Sequence, residues 1–302
     1  MSVTGANSQW PCGLKQKIDE WVSWDKNEKT VSEINRLIDS NATQELCKRL
    51  LDRLSFGTAG LRGRMQAGYN AMNDLVIIQT TQGLLKYLEE TNQNLLRDNG
   101  IIFGYDGRHN SKRFAELSAS IFLHKNYKVY LFGDVAPTPL VAYGVRKWKC
   151  VAGVIVTASH NPKDDNGYKV YSTNGAQIIS PIDKQIQAKI LENLQPWSES
   201  WDTSILNQNT SLLIDPLKET FQSYVKDITS NIDQQQKAII NTANVKFTYT
   251  ALHGVGCKYV EQLFHSVGLN LIPVEEQKDP DPNFPTVRYP IIFYISICWY
   301  RL

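Results

Sequence analysis

The feature that most constrains this chain is an apolar, β-branched run at residues 151–156 that leads into a polar loop. The run, Val-Ala-Gly-Val-Ile-Val, predicts a buried strand, and open α/β sheets bind their ligands at the carboxyl ends of such strands. Ser159 follows within the loop. Asn166-Gly167 is a strong signal for a tight turn, so residues 168–171 are predicted to return as a second strand. That hairpin would carry Lys169 back towards Ser159.

The surrounding pattern predicts an α/β fold with a mixed, mostly parallel sheet. Strand-like apolar runs alternate with helical patterns, which is typical of parallel strands joined by right-handed crossovers. Three amphipathic helical patterns between residues 12 and 52 precede this region and predict packing helices. The alternating segments are, in order, a strand at 101–105, a helix at 111–125, a strand at 129–132, a helix at 138–149 and the strand at 151–156.

A hydroxyl, an imidazole and an ammonium would share one rim if Ser159, His160 and Lys169 meet in the fold. A serine without a base is a poor nucleophile, but a phosphoserine is a phosphoryl donor that carries about −1.5 to −2 charges. Lys169 and His160 could screen that charge or move protons on an attacking sugar hydroxyl. An ordinary polar turn is the alternative, because Ser-His pairs are common and no third member of a triad is visible.

The run as a whole resembles the active-serine signature of the α-D-phosphohexomutases, Thr-Ala-Ser-His-Asn-Pro followed by Asn-Gly-Tyr-Lys. A motif of this length is far more specific than a single Ser-His pair. The resemblance implies that Ser159 is the phosphoserine and, through its phosphate, a metal ligand, and that His160 and Lys169 contact the substrate. It also implies one Mg²⁺ ion, a sugar 1,6-bisphosphate activator and a phosphosugar substrate.

Two further motifs contain arginines that could bind an anion. The glycine-rich run at 55–63 exposes backbone amides and includes Arg62, and the strand at 101–105 leads into Asp-Gly-Arg with Arg108. Taken alone, each motif is more often a turn with a solvated arginine. Both also resemble hallmarks of the α-D-phosphohexomutases. That resemblance implies that Arg62, Arg108 and the neighbouring Asn161 bind substrate or phosphate.

A second unit follows a polar stretch that contains proline, serine and two tryptophans at residues 195–211. Because periodicity is lost there, a domain boundary is predicted near residue 205. Residues 245–267 predict a strand, a glycine turn and a helix, and the turn resembles the family's His-Gly-Val-Gly loop, which implies that His253 lies near the site. The expected organisation is a complete first domain at 1–205 and a complete or nearly complete second domain at 206–288.

The last residues, 289–302, depart from the family pattern and form an apolar tail that is too short for a membrane helix. The family continues into an Asp-Gly-Asp-x-Asp-Arg loop that supplies three carboxylates to magnesium, and this sequence lacks it. A truncated chain with doubtful activity of its own is therefore expected.

Two functions stay open. The first is an intramolecular phosphotransferase of carbohydrate metabolism. It would interconvert sugar 1- and 6-phosphates, or pentose 1- and 5-phosphates, through a phosphoserine and a sugar bisphosphate. The second is a catalytically inactive fragment that acts at most as a binding module.

Composition limits the partners. A net charge of +2 with dispersed Lys and Arg argues against nucleic acid as a partner. The five cysteines are widely spaced without a C-x-x-C pair, so they are predicted to be reduced thiols. The N-terminus lacks the apolar core of a signal peptide. The expectation is a cytoplasmic monomer without a membrane partner.

Overall fold

A six-stranded sheet forms the centre of the computed structural model, which describes residues 10–58, 60–242 and 245–287. The predicted apolar tail at 289–302 lies outside the described residues. The strands lie in the order β1-β5-β4-β2-β3-β6. Their bounds are β1 Leu61–Arg64, β2 Ile101–Tyr105, β3 Val129–Leu131, β4 Ala152–Val156, β5 Asp165–Ser172 and β6 Leu213–Ile214.

The direction of the strands confirms the predicted mixed, mostly parallel sheet. Strands β4, β2, β3 and β6 pair in parallel, whereas β5 is antiparallel to both β4 and β1. The carboxyl ends of β2 and β4 therefore meet at one edge, and the loop that contains Ser159 begins there. The boundary near residue 205 stays a prediction, although β6 lies beyond it and still joins this sheet.

Helices cover both faces of the sheet because its central strands are apolar on both sides. The helices are α4 Asp74–Asn99, α5 Ser111–His124, α6 Thr138–Lys147, α7 Ile182–Glu192 and α8 Leu217–Thr229. Phe103 and Val154 belong to the core under α4, α5 and α7, whereas Ile102 and Ile155 belong to the core under α6 and α8. Successive residues of a strand point to opposite faces, which explains this division.

The three amphipathic patterns near the N-terminus form helices α1 (Leu14–Trp24), α2 (Glu28–Asp39) and α3 (Thr43–Leu50). They enclose a core of their own, in which Trp21 contacts Tyr69 edge to face at 5.1 Å between ring centroids. These helices therefore pack on the sheet domain through residues that follow β1.

The second unit contains α9 (Gln234–Thr242), β7 (Phe247–Tyr249), α10 (Cys257–Ser266) and β8 (Leu271–Pro273). The parallel pairing of β7 with β8 across α10 confirms the predicted strand-turn-helix unit. Tyr259 on α10 donates to the Val135 carbonyl at 2.6 Å and so connects this unit to the first. In the described residues, no helix combines the length and the apolarity that a bilayer crossing requires.

The predicted turn at Asn166-Gly167 is wrong, because both residues lie inside β5. The chain reverses earlier, over residues 159–164. Asn166 is buried, and its amide donates to Ser111 Oγ at 3.0 Å. A Cβ at Gly167 would lie only 2.6 Å from the Thr157 carbonyl oxygen. Glycine is therefore needed at 167 because the backbones of β5 and Thr157 approach closely there. The Asn-Gly pair has the composition of a tight turn although it does not form one.

Candidate active site

Ser159 lies exposed on the loop that joins β4 to β5. Its backbone has φ +55°, in the left-handed region that side chains other than glycine and asparagine rarely adopt. Its N–H donates to Thr157 Oγ1 at 2.8 Å. A conformation of this kind costs free energy, so it persists only where neighbouring groups hold the loop.

The structure brings Lys169 to Ser159, where Lys169 Nζ donates to Ser159 Oγ at 2.7 Å. The antiparallel register explains the contact, because Lys169 on β5 pairs with Ile155, four residues before Ser159. The hairpin was therefore predicted correctly, although its turn was placed too late. Their catalytic roles stay predictions.

Positive charge is concentrated around Ser159. Burial lowers the pKa of Lys169, and the nearby charges of Arg62 and Arg108 lower it further against the opposing effect of Asp106. Arg62 is exposed and donates from Nη1 to Asn161 Oδ1 at 3.3 Å. Like charges close together favour an anion between them, and a phosphate on Ser159 would supply it.

The other predicted neighbours differ in environment. Asn161 is half-buried and its Nδ2 donates to Asp165 Oδ2 at 3.0 Å. His160 is exposed at the tip of the loop. His253 is buried, and its Nε2 is hydrogen-bonded to Thr286 Oγ1 at 2.8 Å. The predicted contacts of these three side chains with substrate or phosphate stay predictions.

Arg108 holds the loop rather than facing the solvent. Its Nη2 donates to the carbonyls of Ser159 at 2.5 Å and Asn161 at 2.8 Å. Its Nη1 donates to the carbonyls of Pro162 at 2.8 Å and Asp165 at 3.3 Å. These carbonyls occupy the terminal donors of Arg108 in this structure, and the predicted contact of Arg108 with substrate phosphate stays a prediction.

Asp106 connects Arg108 to Thr157 and Ser111, and these four residues are called the loop support below. Its Oδ2 accepts from Thr157 Oγ1 at 2.5 Å and lies 3.3 Å from Arg108 Nε. Its Oδ1 accepts from Ser111 Oγ at 2.6 Å and from the Arg108 N–H at 3.0 Å. Sequence reasoning quoted Asp106 within a motif but gave it no role. The signal available in the sequence was the spacing, which places a carboxylate two residues before an arginine.

A cleft of about 300 Å³ opens beside Ser159. Ser159, Thr157 and Arg108 line it from the first domain, and His253 and Phe284 line it from the second unit. His253 and Ser159 therefore line the same cleft, and the predicted role of His253 stays a prediction. Phe284 was not among the site residues predicted from the sequence.

The described residues do not form a magnesium cage. None of their His, Cys, Asp and Glu side chains form a group of three or more that could hold a metal ion. Asp106 and Asp165, the carboxylates beside Ser159, already accept hydrogen bonds from neighbouring side chains. Mg²⁺ prefers six oxygen ligands, and one serine phosphate supplies too few of them. The predicted ligation through Ser159 stays a prediction.

Comparison with known protein families finds two matching domains in this chain. Residues 53–196 match domain I of phosphoglucomutase/phosphomannomutase, an alpha/beta/alpha domain, and residues 222–291 match domain II. The two matches together span more than half of the chain. The chain belongs to this family. The predicted fold class and family resemblance are thereby confirmed.

Named members of the phosphoglucomutase/phosphomannomutase family resemble the chain over most of its length. Human phosphopentomutase is 45% identical over 286 residues, and human glucose 1,6-bisphosphate synthase is 44% identical over 284. Phosphoribomutase from Saccharomyces cerevisiae is 40% identical over 293 residues. These matches cover 92–93% of this chain but 45–46% of the relatives. The chain thus spans about half the length of the curated relatives it matches.

Solved structures of the family share the fold. A Thermus thermophilus structure described as that of a phosphomannomutase matches with a TM-score of 0.62 at 22% identity, over 78% of this chain and 48% of that one. The open form of the Paramecium phosphoglucomutase parafusin matches with a TM-score of 0.56 at 18% identity, over 78% and 46%. At these identities the likeness concerns the architecture alone.

Proposed function

We propose that this chain transfers phosphoryl groups through Ser159, as the donor domain of a sugar-phosphate mutase. The observation that carries the proposal is the 2.7 Å contact of Lys169 Nζ with Ser159 Oγ. Arg62, which is exposed, adds a second cation that contacts Asn161 of the same loop. The two positive charges would balance the charge that a phosphate brings to Ser159. The family relationship supports the same chemistry.

The proposed transfer uses a sugar hydroxyl, Lys169 of β5 and the loop residues Ser159 and His160. The phosphorus–Oγ bond of the phosphoserine breaks while a bond from phosphorus to the sugar oxygen forms. The proton of the hydroxyl leaves to a base, for which we propose the exposed His160. Lys169 donates to Oγ and so stabilises the leaving serine oxygen. The resulting sugar bisphosphate then reorients in the site so that its other phosphate faces Ser159. The reverse step returns that phosphate to Ser159.

The proposed substrates are α-phosphosugars, either pentose 1- and 5-phosphates or hexose 1- and 6-phosphates. The names of the relatives support both classes, because they include phosphopentomutase, phosphoribomutase and glucose 1,6-bisphosphate synthase. A sugar 1,6-bisphosphate is the proposed source of the serine phosphate. Magnesium dependence, a cytoplasmic location and a monomeric state remain predictions from the sequence.

Intact-mass analysis tests the proposal. The full chain is incubated with glucose 1,6-bisphosphate and Mg²⁺, and we expect a gain of one phosphoryl group on Ser159. Ser159→Ala should show no gain and should unfold at the same temperature, since an exposed loop hydroxyl contributes little packing. An equal gain in Ser159→Ala would refute the assignment. Binding of the bisphosphate in calorimetry without any transfer would favour the binding module instead.

A second assay separates the substrate classes. The phosphorylated chain is mixed with ribose 1-phosphate or glucose 1-phosphate, and loss of the serine phosphate is followed by mass. Faster discharge by one of the two sugars identifies the class that the site accepts.

A further inference from the structure

The Arg108 side chain is buried, and its terminal nitrogens donate to backbone carbonyls of the loop. Its side chain is 1% exposed, and Asp106 lies against its Nε at 3.3 Å. The four carbonyls that its terminal nitrogens contact all belong to residues 159–165. One guanidinium is thus hydrogen-bonded to the backbone at four positions along the loop. Bidentate donors in a rigid fork suit this task, whereas an ammonium could reach fewer carbonyls.

Phe284 from the second unit covers this guanidinium. Its ring centroid lies 5.2 Å from Arg108 Cζ, within the range of a cation–π contact. Phe284 has φ +49°, which is rare for a bulky residue. The strain is maintained by the segment around it, where the Phe284 N–H donates to Asp281 O and the Val287 N–H donates to Phe284 O.

Two more contacts attach this segment. The Asp281 N–H donates to the His253 carbonyl at 3.0 Å, and Thr286 Oγ1 is bonded to His253 Nε2. On the side of the first domain, His109 Nε2 lies 3.1 Å from Asn283 Oδ1. The second unit therefore holds Phe284 over Arg108 through contacts on both sides.

We infer that Arg108 and Phe284 are positioning residues for Ser159, so that the second unit controls the geometry of the phosphoryl carrier. Arg108 fixes the loop carbonyls and keeps Ser159 in its left-handed conformation. Phe284 excludes water from the guanidinium, and hydrogen bonds to a charged group strengthen when water is excluded. The inference rests on the proposed function only for its catalytic consequence, because the loop geometry can be measured without any activity.

Hydrogen exchange in the full chain is the first test. The amides to follow are those of Ser159, Asn161 and Asp165, which are all hydrogen-bonded within the loop. Arg108→Lys keeps the charge but cannot bond all four carbonyls, so these amides should exchange about tenfold or more faster. Phe284→Leu keeps an apolar side chain but loses the ring, and exchange should rise about threefold to tenfold.

Two matched controls accompany these variants. Arg64→Lys alters an exposed arginine of β1 whose Nη2 lies 3.8 Å from Asp164 in the same loop. Phe264→Leu alters an aromatic residue of the second unit that contacts Phe247 away from the cleft. Both should leave exchange of the loop amides unchanged. Unchanged exchange in Phe284→Leu, or an equal rise in Phe264→Leu, would overturn the role of Phe284 even where Arg108→Lys fails to fold.

Phosphorylation kinetics with glucose 1,6-bisphosphate distinguish positioning from direct binding. A positioning role predicts that Arg108→Lys and Phe284→Leu lower the maximal rate of Ser159 phosphorylation and leave the half-saturating concentration within about twofold of wild type. A raised half-saturating concentration with an unchanged maximal rate would show that Arg108 binds the phosphate, and would overturn the inference. If the wild-type chain is not phosphorylated, the proposed function fails, and hydrogen exchange still decides the inference.

Discussion

Replacing Asp106 with asparagine tests the loop support most directly. The change keeps the shape of the side chain but removes the charge opposite Arg108, whose guanidinium is almost fully buried. Thr157 Oγ1 already accepts from the Ser159 N–H, so its own proton must go to Asp106 Oδ2. An amide nitrogen at that position would oppose a donor with a donor. Asparagine therefore cannot satisfy all the partners that the carboxylate accepts.

The expected cost is large because the pair is buried. The Asp106 side chain is 14% exposed and that of Arg108 is 1% exposed, so solvent screening is weak. Removing one partner of a buried ion pair costs about 3–5 kcal/mol, since the other charge is left without compensation. A loss of this size is a substantial part of the 5–15 kcal/mol or so that typically stabilises a domain. We expect Asp106→Asn to lower the free energy of unfolding by about 3–5 kcal/mol.

Urea unfolding followed by tryptophan fluorescence measures this difference, provided that the dependence of the unfolding free energy on urea is unchanged. Asp98→Asn is the matched control, because Asp98 pairs with Arg97 at 2.9 Å on the surface, where ion pairs contribute little. It should leave the unfolding midpoint unchanged. A loss below about 1 kcal/mol in Asp106→Asn, the range of exposed pairs, would refute the role assigned to Asp106.

Three further changes have expected outcomes. Gly167→Ala would place a Cβ 2.6 Å from the Thr157 carbonyl oxygen and should lower stability by about 1–3 kcal/mol in thermal unfolding; an unchanged midpoint would contradict the close approach. Lys169→Met should slow Ser159 phosphorylation by about a hundredfold, measured by mass; a wild-type rate would remove Lys169 from the mechanism. Burial raises the pKa of Asp25 from 3.8 to about 6, so its stabilising contribution is complete below pH 3.8 and disappears as pH rises through about 6. Asp25→Asn should flatten the fall in stability over that pH range, and an unaltered slope in urea titrations would argue against it.

The sequence predicted the parts of the fold and site that depend on a local pattern, and it missed those that depend on contacts between segments. The strand at 151–156 was predictable because a continuous apolar run has one plausible place in an α/β sheet. The contact of Lys169 with Ser159 followed from hairpin geometry. The turn at Asn166-Gly167 was misplaced, because the glycine is needed where β5 passes the Thr157 carbonyl on the other arm of the hairpin. A local pattern contains no information about such a neighbour.

The hydrogen bonds of Arg108 to the loop could not be predicted from the sequence for a related reason. A guanidinium after a strand end predicts an anion site by charge alone. Whether it faces solvent or carbonyls depends on where the loop at 159–165 folds, and that loop begins some 50 residues later in the chain. The carboxylate that compensates the charge, Asp106, is only two residues away. Sequence could therefore have suggested a neutralised pair, but not the four carbonyls it supports.

The charges around Ser159 fall into two sets with different surroundings. Asp106 and Arg108 compensate each other within the loop support, so this pair adds little net charge to the cleft. Arg62 donates to an amide oxygen and Lys169 to a hydroxyl oxygen, and neither forms an ion pair with a carboxylate in the part of the chain that the structure describes. Two such cations match the charge of about −1.5 to −2 on a phosphoserine. A phosphate on Ser159, as proposed, would therefore balance the charge of the site, whereas without it burial and the neighbouring arginines lower the pKa of Lys169.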